Sequence, residues 1–401
     1  MCAPSWLRPT AGAPVPEMPA EPVSEPVSEP VSEPLIFERA WALCYRIYDI
    51  ADEIDLEKAR RVLAQDARRL KLSRENSQYI QLPNPPVAYE LGRRVLALRH
   101  GPVTVDSTAR LFDHGAVSII LAVPVVPGTT LEQLTVLADE LYDSQALEAL
   151  TGELLEGVRR TIGQAVRARR TWEQSESYTV LFVEHIRGNP LAEQVLARAD
   201  LARLLLGEVG SKPLSRGESE AVTQMRFSYT VEDLTVIDWN SAFVYEPSGS
   251  RDIPDLLEIA NAQLLEFRFY DELLDGHIAH IHDQMQARRQ GMMALFRSPY
   301  RDLARETLST LVDLNEFIER VENSLKIIGD FYLAKVYEAA VRRLRIPAWQ
   351  ASVTRKHQLL EQTYGLLKGE VDTARSLMLE TTVVALIVLE IVLALLRVFD
   401  H

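Results

Sequence analysis

The pattern of apolar and polar positions divides the chain near Gly249. Before that point, short alternating or β-branched runs take turns with helical stretches; after it, apolar residues recur at steps of three and four. Residues 41–50 predict a strand, and Asp55 caps a helix opening at Leu56. Pro83, Pro85 and Pro86 mark a loop. Residues 103–112 and 116–123 are β-branched runs joined by Asp113, His114 and Gly115, which predicts a hairpin. Thr129 or Thr130 caps an amphipathic helix, LEQLTVLADELY, and a second helix is predicted over 145–170. Strands are predicted at 178–186, 225–230, 234–238 and 242–245, with a short helix over 190–206. The last two strands flank Asp238, Trp239 and Asn240. Strands alternating with helices, with hairpins among them, point to a mixed sheet in an α+β domain over 35–249.

Three long helices are predicted beyond it. The first takes Asp252 as cap and Pro254 into its first turn, with a seam of Leu257, Ala260, Leu264, Phe267, Leu274, Ile278, Ile281 and Met285, interrupted by Asp271. The second keeps the same step from Leu311 to Tyr332 and stops at Pro347; the third runs from Val353 through Leu360 and Leu367 to Met378. About forty residues per helix makes rods near 60 Å long, and short connections would fold them antiparallel into a coiled-coil stalk over 250–380. The third helix continues in register into residues 381–399, TTVVALIVLEIVLALLRVF, where Glu390 is the one charge between Glu380 and Arg397. At about 1.5 Å per residue this segment reaches roughly 28 Å, close to the hydrocarbon thickness of a bilayer if Arg397 snorkels. It is read as one C-terminal transmembrane helix. A mid-membrane carboxylate costs at least ~2.5 kcal/mol, so Glu390 and Arg397, seven apart on one helix face, are expected to form a contact face toward a protein partner.

Composition narrows the functional classes. The 401 residues suffice for two ordinary domains, and a hydrophobic fraction of 47% is that of a globular chain. With 57 acidic against 43 basic residues the net charge is -14, which argues against direct binding of double-stranded nucleic acid through its phosphates. Cys2 and Cys44 are too few for a disulfide framework or a structural zinc site, so a reducing compartment is expected. Residues 1–34 carry a repeat of Val, Ser, Glu and Pro that cannot bury enough apolar surface to order itself; a disordered acidic tail is expected there. No charged segment followed by an apolar one opens the chain as a signal peptide would. Arg342, Arg343, Arg345, Arg355, Lys356, Lys368 and Arg375 precede the apolar segment while only Arg397 follows, so the positive-inside rule puts the bulk of the chain in the cytoplasm as a tail-anchored protein.

Chemistry-bearing motifs are sparse. No phosphate-binding glycine loop, paired-cysteine pattern, HExxH or GxSxG occurs, and no cofactor or metal is implied. His277 and His280 share a helix face while His282 points away from it, which favours a solvated helix end over a metal site. Polar residues beside the seams are more informative: Glu258, Asn261, Glu266, Arg268 and Asp271 on the first helix, Glu322, Asn323, Lys326 and Asp330 on the second. Glu322, Lys326 and Asp330 stand four apart, a stripe of alternating charge. The expectation is a buried polar network across the two helices that fixes register. A catalytic carboxylate pair from Glu266, Asp271, Glu322 and Asp330, acting with a metal, is the enzymatic alternative.

The stretches LTVIDWNSAFVYE (234–246), LLEIANAQLLEFRFYDELLD (256–275), RVENSLKIIGDFYLAKVY (320–337) and the terminal LETTVVALIVLE, together with ARLFDHGAVSI (109–119), resemble the family named for being required for meiotic nuclear division, long catalogued as a domain of unknown function. The resemblance runs from about Ala40 to Leu396. It implies homo-oligomers at a membrane, and mitochondrial members support organellar translation, holding ribosomes or transcripts near the inner membrane. The lack of an arginine-rich transit peptide makes this chain resemble a bacterial member, expected in the inner membrane. No catalytic residues carry over. The leading expectation is a membrane-anchored oligomeric scaffold or assembly factor whose α+β domain binds a cytoplasmic or ribosome-associated partner; a channel or transporter subunit is a further alternative.

Overall fold

A computed structural model describes residues 34–63, 67–69, 84–172, 174–210, 212–287, 300–324 and 330–399, with the backbone alone at 67–69, 319–324 and 394–399. The tail expected over 1–34 lies, except for Pro34, outside the described residues. The first strands and helices are β1 (Ile36–Asp49), β2 (Ala51–Ile54), α1 (Leu56–Leu63), β3 (Ala67–Arg69), β4 (Val87–Leu98), β5 (Gly101–Leu111), β6 (Ala116–Pro124) and β7 (Thr129–Thr130). There follow α2 (Leu131–Tyr142), α3 (Gln145–Thr161), β8 (Val166–Arg169), β9 (Ser175–Ile186), α4 (Ala192–Arg198), α5 (Leu201–Leu206), α6 (Arg216–Val222), β10 (Arg226–Phe227), β11 (Leu234–Ile237) and β12 (Ser241–Tyr245). The chain ends in α7 (Asp252–Ala287), α8 (Arg301–Ser324), α9 (Phe331–Arg343) and α10 (Ile346–Phe399).

The architecture is α+β. One mixed sheet runs in the order β10, β11, β12, β9, β1, β6, β5, β4, β3, with β7 beside the start of β1 and a separate β2–β8 ribbon. Every ladder is antiparallel except β12 on β9, where Ser241 pairs with Thr179 and Tyr245 with Val183. Both faces of the sheet are covered, and β1 shows why: Ala42 and Cys44 enter the core under the helices of the N-terminal part, while Leu43, Tyr45 and Ile47 enter the core under α7. On the first face, Thr130 closes a capping box with Gln133 at the start of α2, and Ser144 caps α3. The hairpin of β5 and β6 turns at Gly115, as its sequence predicts.

Three departures have local causes. The helix expected over 145–170 stops at Thr161; the chain turns back at 162–165 and Val166–Arg169 pairs with β2, so sheet pairing prevails over helix propensity. Of the strand expected at 225–230, Arg226–Phe227 alone pairs, because Asp233 draws the amides of Tyr229 and Thr230 into a turn. The second long helix is two helices. Asp330, preceded by Gly329, is the N-cap of α9, its carboxylate accepting from the amides of Tyr332 and Leu333, so it belongs to a helix start and not to a charged stripe continuing α8.

Among the long C-terminal helices, Phe317 of α8 packs on Phe267 and Tyr270 of α7 while Glu306 lies beside His277, so α8 runs antiparallel to α7. Arg345, in the left-handed conformation, turns the chain from α9 into α10 beside Trp239, and Lys356 then meets Asp271 and Asp275; α10 therefore descends parallel to α7. Ile346, Val353, Leu360 and Leu367, at heptad spacing, are buried. Beyond Leu367 none of its described side chains is buried. From Leu377 to Leu393 large apolar residues stand exposed, in a helix long and apolar enough to cross a membrane.

Candidate functional site

Helix α7 is the spine on which the polar residues of the molecule converge. It begins with two acidic residues in its first turn, which suits the positive end of the helix dipole, and its next polar positions face the sheet. The Arg110 guanidinium of β5 reaches across to α7, bonding the Asp255 carboxylate at 3.0 Å and that of Glu258, both inside the core. Glu258 is 0% exposed. Burial pushes its carboxyl up to about 7, with Arg110 opposing the rise and Asp255 adding to it. Asp255 is raised for the same leading reason. Further along, Asn261 donates to the carbonyl of Leu257, Gln263 accepts from the Tyr337 hydroxyl of α9 at 2.8 Å, and Arg268 pairs with Glu176 of β9. Glu266 lies 3.9 Å from His114 in the β5–β6 turn. Asp271 and Asp275 share Lys356 of α10 at 2.9 and 2.6 Å. Sheet, α9 and α10 are thus each tied to α7 by at least one buried or half-buried polar contact.

A pH dependence follows from Glu258. In the unfolded chain its carboxyl ionises near the ordinary 4.5, and in the fold near 7. Between those values the folded state holds a proton that the unfolded state has lost, so stability falls as pH rises through that window and this contribution levels off above it. Urea midpoints measured from pH 5 to 8 should decline, and Glu258→Gln should flatten the decline; an unchanged slope in the variant would refute the assignment.

The second cluster is the turn between β11 and β12. Asp238 binds Arg343 of α9, and the buried Tyr178 hydroxyl donates toward the carbonyls of Asp238 and Ser241 at 3.1 and 2.9 Å. The Asn240 amide donates to the Tyr142 hydroxyl at 2.6 Å, and Arg345 stands 5.9 Å from the exposed Trp239 ring. Beside this turn a cavity of about 300 Å³ opens against Arg46, Ser175, Ser177, Asn240 and Asn261. Its backbone wall is unusual. Thr179 donates to the carbonyl of Asn240 and Val183 accepts from Glu246, so odd-numbered residues of β9 point toward β12. Because β12 starts opposite Thr179, the main-chain groups of Ser175 and Ser177 point past its end into the cavity.

Residues 40–251 match the family model described as "Uncharacterized protein MJ0711, N-terminal domain". The chain belongs to this family. The uncharacterized protein MJ0711 of Methanocaldococcus jannaschii is 25% identical over 174 residues, covering 43% of this chain and 52% of that protein. The chain thus spans about half the length of that relative. No solved structure matches.

The family domain carries the Asp238–Trp239–Asn240 turn and Arg110, whereas Glu258, Asn261, Glu266, Arg268 and Asp271 lie just beyond it on α7. The structure brings the α7 residues to the sheet and to α10, where the sequence pattern suggested the second stalk helix. Asp271 meets Lys356, and Arg268 meets Glu176. Glu322 and Asn323 stand in α8 with their side chains outside the described atoms, Lys326 lies outside the described residues, and Asp330 caps α9. Glu390 is exposed near the end of α10, with the Arg397 side chain outside the described atoms. Among the described residues no group of His, Cys, Asp or Glu is arranged to hold a metal ion; His277 and His280 both face Glu306 at 3.8 and 3.9 Å. Arg110 and Glu176 went unmarked in the sequence, and Arg343 and Lys356 stood there only as charges preceding the apolar segment. Arg110 had a signal, a cation at a core-facing position of a β-branched strand; the others lie in exposed-looking contexts.

Proposed function

We propose that this chain is a membrane-attached scaffold. The end of α10 crosses the bilayer, the helical stalk continues it, and the α+β head docks a partner away from the membrane. The observation that carries this reading is the run of exposed apolar side chains from Leu377 to Leu393 on a helix continuous with the stalk. Left in water, such a surface far exceeds what a soluble chain exposes in one place. The polar contacts along α7 support the rest: a head tied to its stalk by buried charges holds a fixed orientation above the membrane. In this reading the main-chain groups of Ser175 and Ser177 that face the cavity receive an extended segment of the partner, which would prolong the line of β12.

The arginines and lysines between Arg342 and Arg375 favour a cytoplasmic head. The resemblance to the meiotic nuclear division family adds self-association, for which Glu390 and Arg397 are the contact face, and a bacterial inner membrane as the location; support of translation by a ribosome-associated partner belongs to the same proposal. Fractionation tests the central point. The full chain should sediment with membranes and resist alkaline extraction, and deletion of residues 381–401 should move it to the soluble fraction. Retention of the truncated chain would overturn the anchor.

A further inference from the structure

The sheet face under α7 is not wholly covered. Ahead of the first turn of the helix, side chains of β1, β5 and β6 and the residue preceding α7 enclose a cavity of about 190 Å³. It is separate from the turn at Asp238 and from the open edge of β9, and its inner surface is built from charged and polar groups that the core would not otherwise tolerate. Tyr45, 2% exposed, lines it. Thr108 adds a second hydroxyl to the lining. Arg251 stands at the mouth with its guanidinium over the aromatic rings of Trp41 and Phe182, at 5.8 and 5.7 Å, and is coupled electrostatically to Asp255. Asp255 uses one oxygen for Arg110, which leaves the other for a ligand. Asp106, at the rim, is paired with Arg93 at 3.3 Å.

The charges decide the class of ligand. With both carboxylates ionised, Arg110, Asp255 and Glu258 together carry one net negative charge, and Arg251 carries one positive. The four charges sum to zero, with Arg251 exposed at the mouth and coupled to Asp255, so a ligand of a single sign would unbalance the lining, whereas a ligand with both signs meets a partner for each. Size and lining complete the specification. The volume equals about six waters at ~30 Å³ each, which suits a molecule of a few carbons and excludes a nucleotide. The remaining wall, Leu43, Ile120 and Ala122, is apolar. The geometry points to a binding site for a free α-amino acid with a branched apolar side chain. Its carboxylate meets Arg251 and the hydroxyls of Tyr45 and Thr108, its ammonium meets Asp255, and its side chain lies against the apolar wall.

Calorimetric titration of the detergent-solubilised full chain at pH 8 with L-leucine and L-valine tests this, beside N-acetyl-L-leucine and L-leucinamide, which each lack one charge. The free amino acids should bind, and each capped compound should bind at least tenfold more weakly. Arg251→Gln, at an exposed position, should weaken leucine at least tenfold without changing the thermal midpoint, and Tyr45→Phe should weaken it several-fold. Absence of heat with both amino acids, equal binding of either capped compound, or indifference to Arg251→Gln would overturn the assignment.

Discussion

Replacing Arg110 by leucine is expected to lower the unfolding free energy by about 3–5 kcal/mol, the usual cost of removing one partner from a buried ion pair. Arg110 projects from β5 into the core beneath α7 and is the only cation bonded to Asp255 or Glu258 among the described residues. Without it two carboxylates face one another below the sheet, one of them with no access to water. The fold can relieve this by protonating Glu258, which is why the loss should be smaller at pH 5 than at pH 8. Leucine supplies volume but no charge, so the effect reports electrostatics and not a cavity. A double variant, Arg110→Leu with Glu258→Leu, should recover most of the loss, because an apolar pair of similar volume often replaces a buried ion pair at little cost. Urea denaturation of the detergent-solubilised chain measures both. A single variant within 1 kcal/mol of the parent would mean that the pair is not formed.

The same contact illustrates what the sequence made legible. Periodicity identified α7 and its seam, and the β-branched runs on either side of Asp113, His114 and Gly115 located a hairpin that the structure contains. These signals are local, carried by neighbours in the chain. Strand β4 shows the limit: most of its residues are exposed or half-buried on both faces, so no alternation marks it. Helix α6 is a single exposed stretch with one buried residue, Val222, and equally little pattern. The polar residues of α7 stood out because each interrupts an apolar seam, yet their partners did not. Arg110 is 148 residues from Glu258, Glu176 92 from Arg268, and Lys356 85 from Asp271. Nothing in a charged residue's own surroundings says which strand or helix will be brought against it. Asp271 was expected to meet the second stalk helix because that helix follows it; the chain instead folds α10 back along α7, and Lys356 takes the place.

Gly115→Ala is expected to cost roughly 2–5 kcal/mol, combining left-handed strain of about 1–2 kcal/mol with overpacking of about 1–3 kcal/mol. Gly115 has φ +94, and a Cβ there would lie 1.7 Å from the carbonyl oxygen of Ala51 and 2.6 Å from its carbon. The obstacle is backbone, so no rotamer change clears it. The hairpin tip is held from both sides of that contact, since Ile50 donates to the Gly115 carbonyl at 3.1 Å and Ile54 to that of Asp113 at 2.9 Å. Making room means breaking one of these or lifting the turn, which also moves His114 away from Glu266 on α7. Gly92→Ala separates the two contributions. It sits at a bulge of β4 with φ +81 and nothing within 4 Å of the added carbon, so it bears the conformational strain alone. Its cost should stay near 1–2 kcal/mol. Urea midpoints of the two variants, measured side by side, should therefore differ by the steric part, and equal losses would show that the tip of the hairpin is not seated against Ala51.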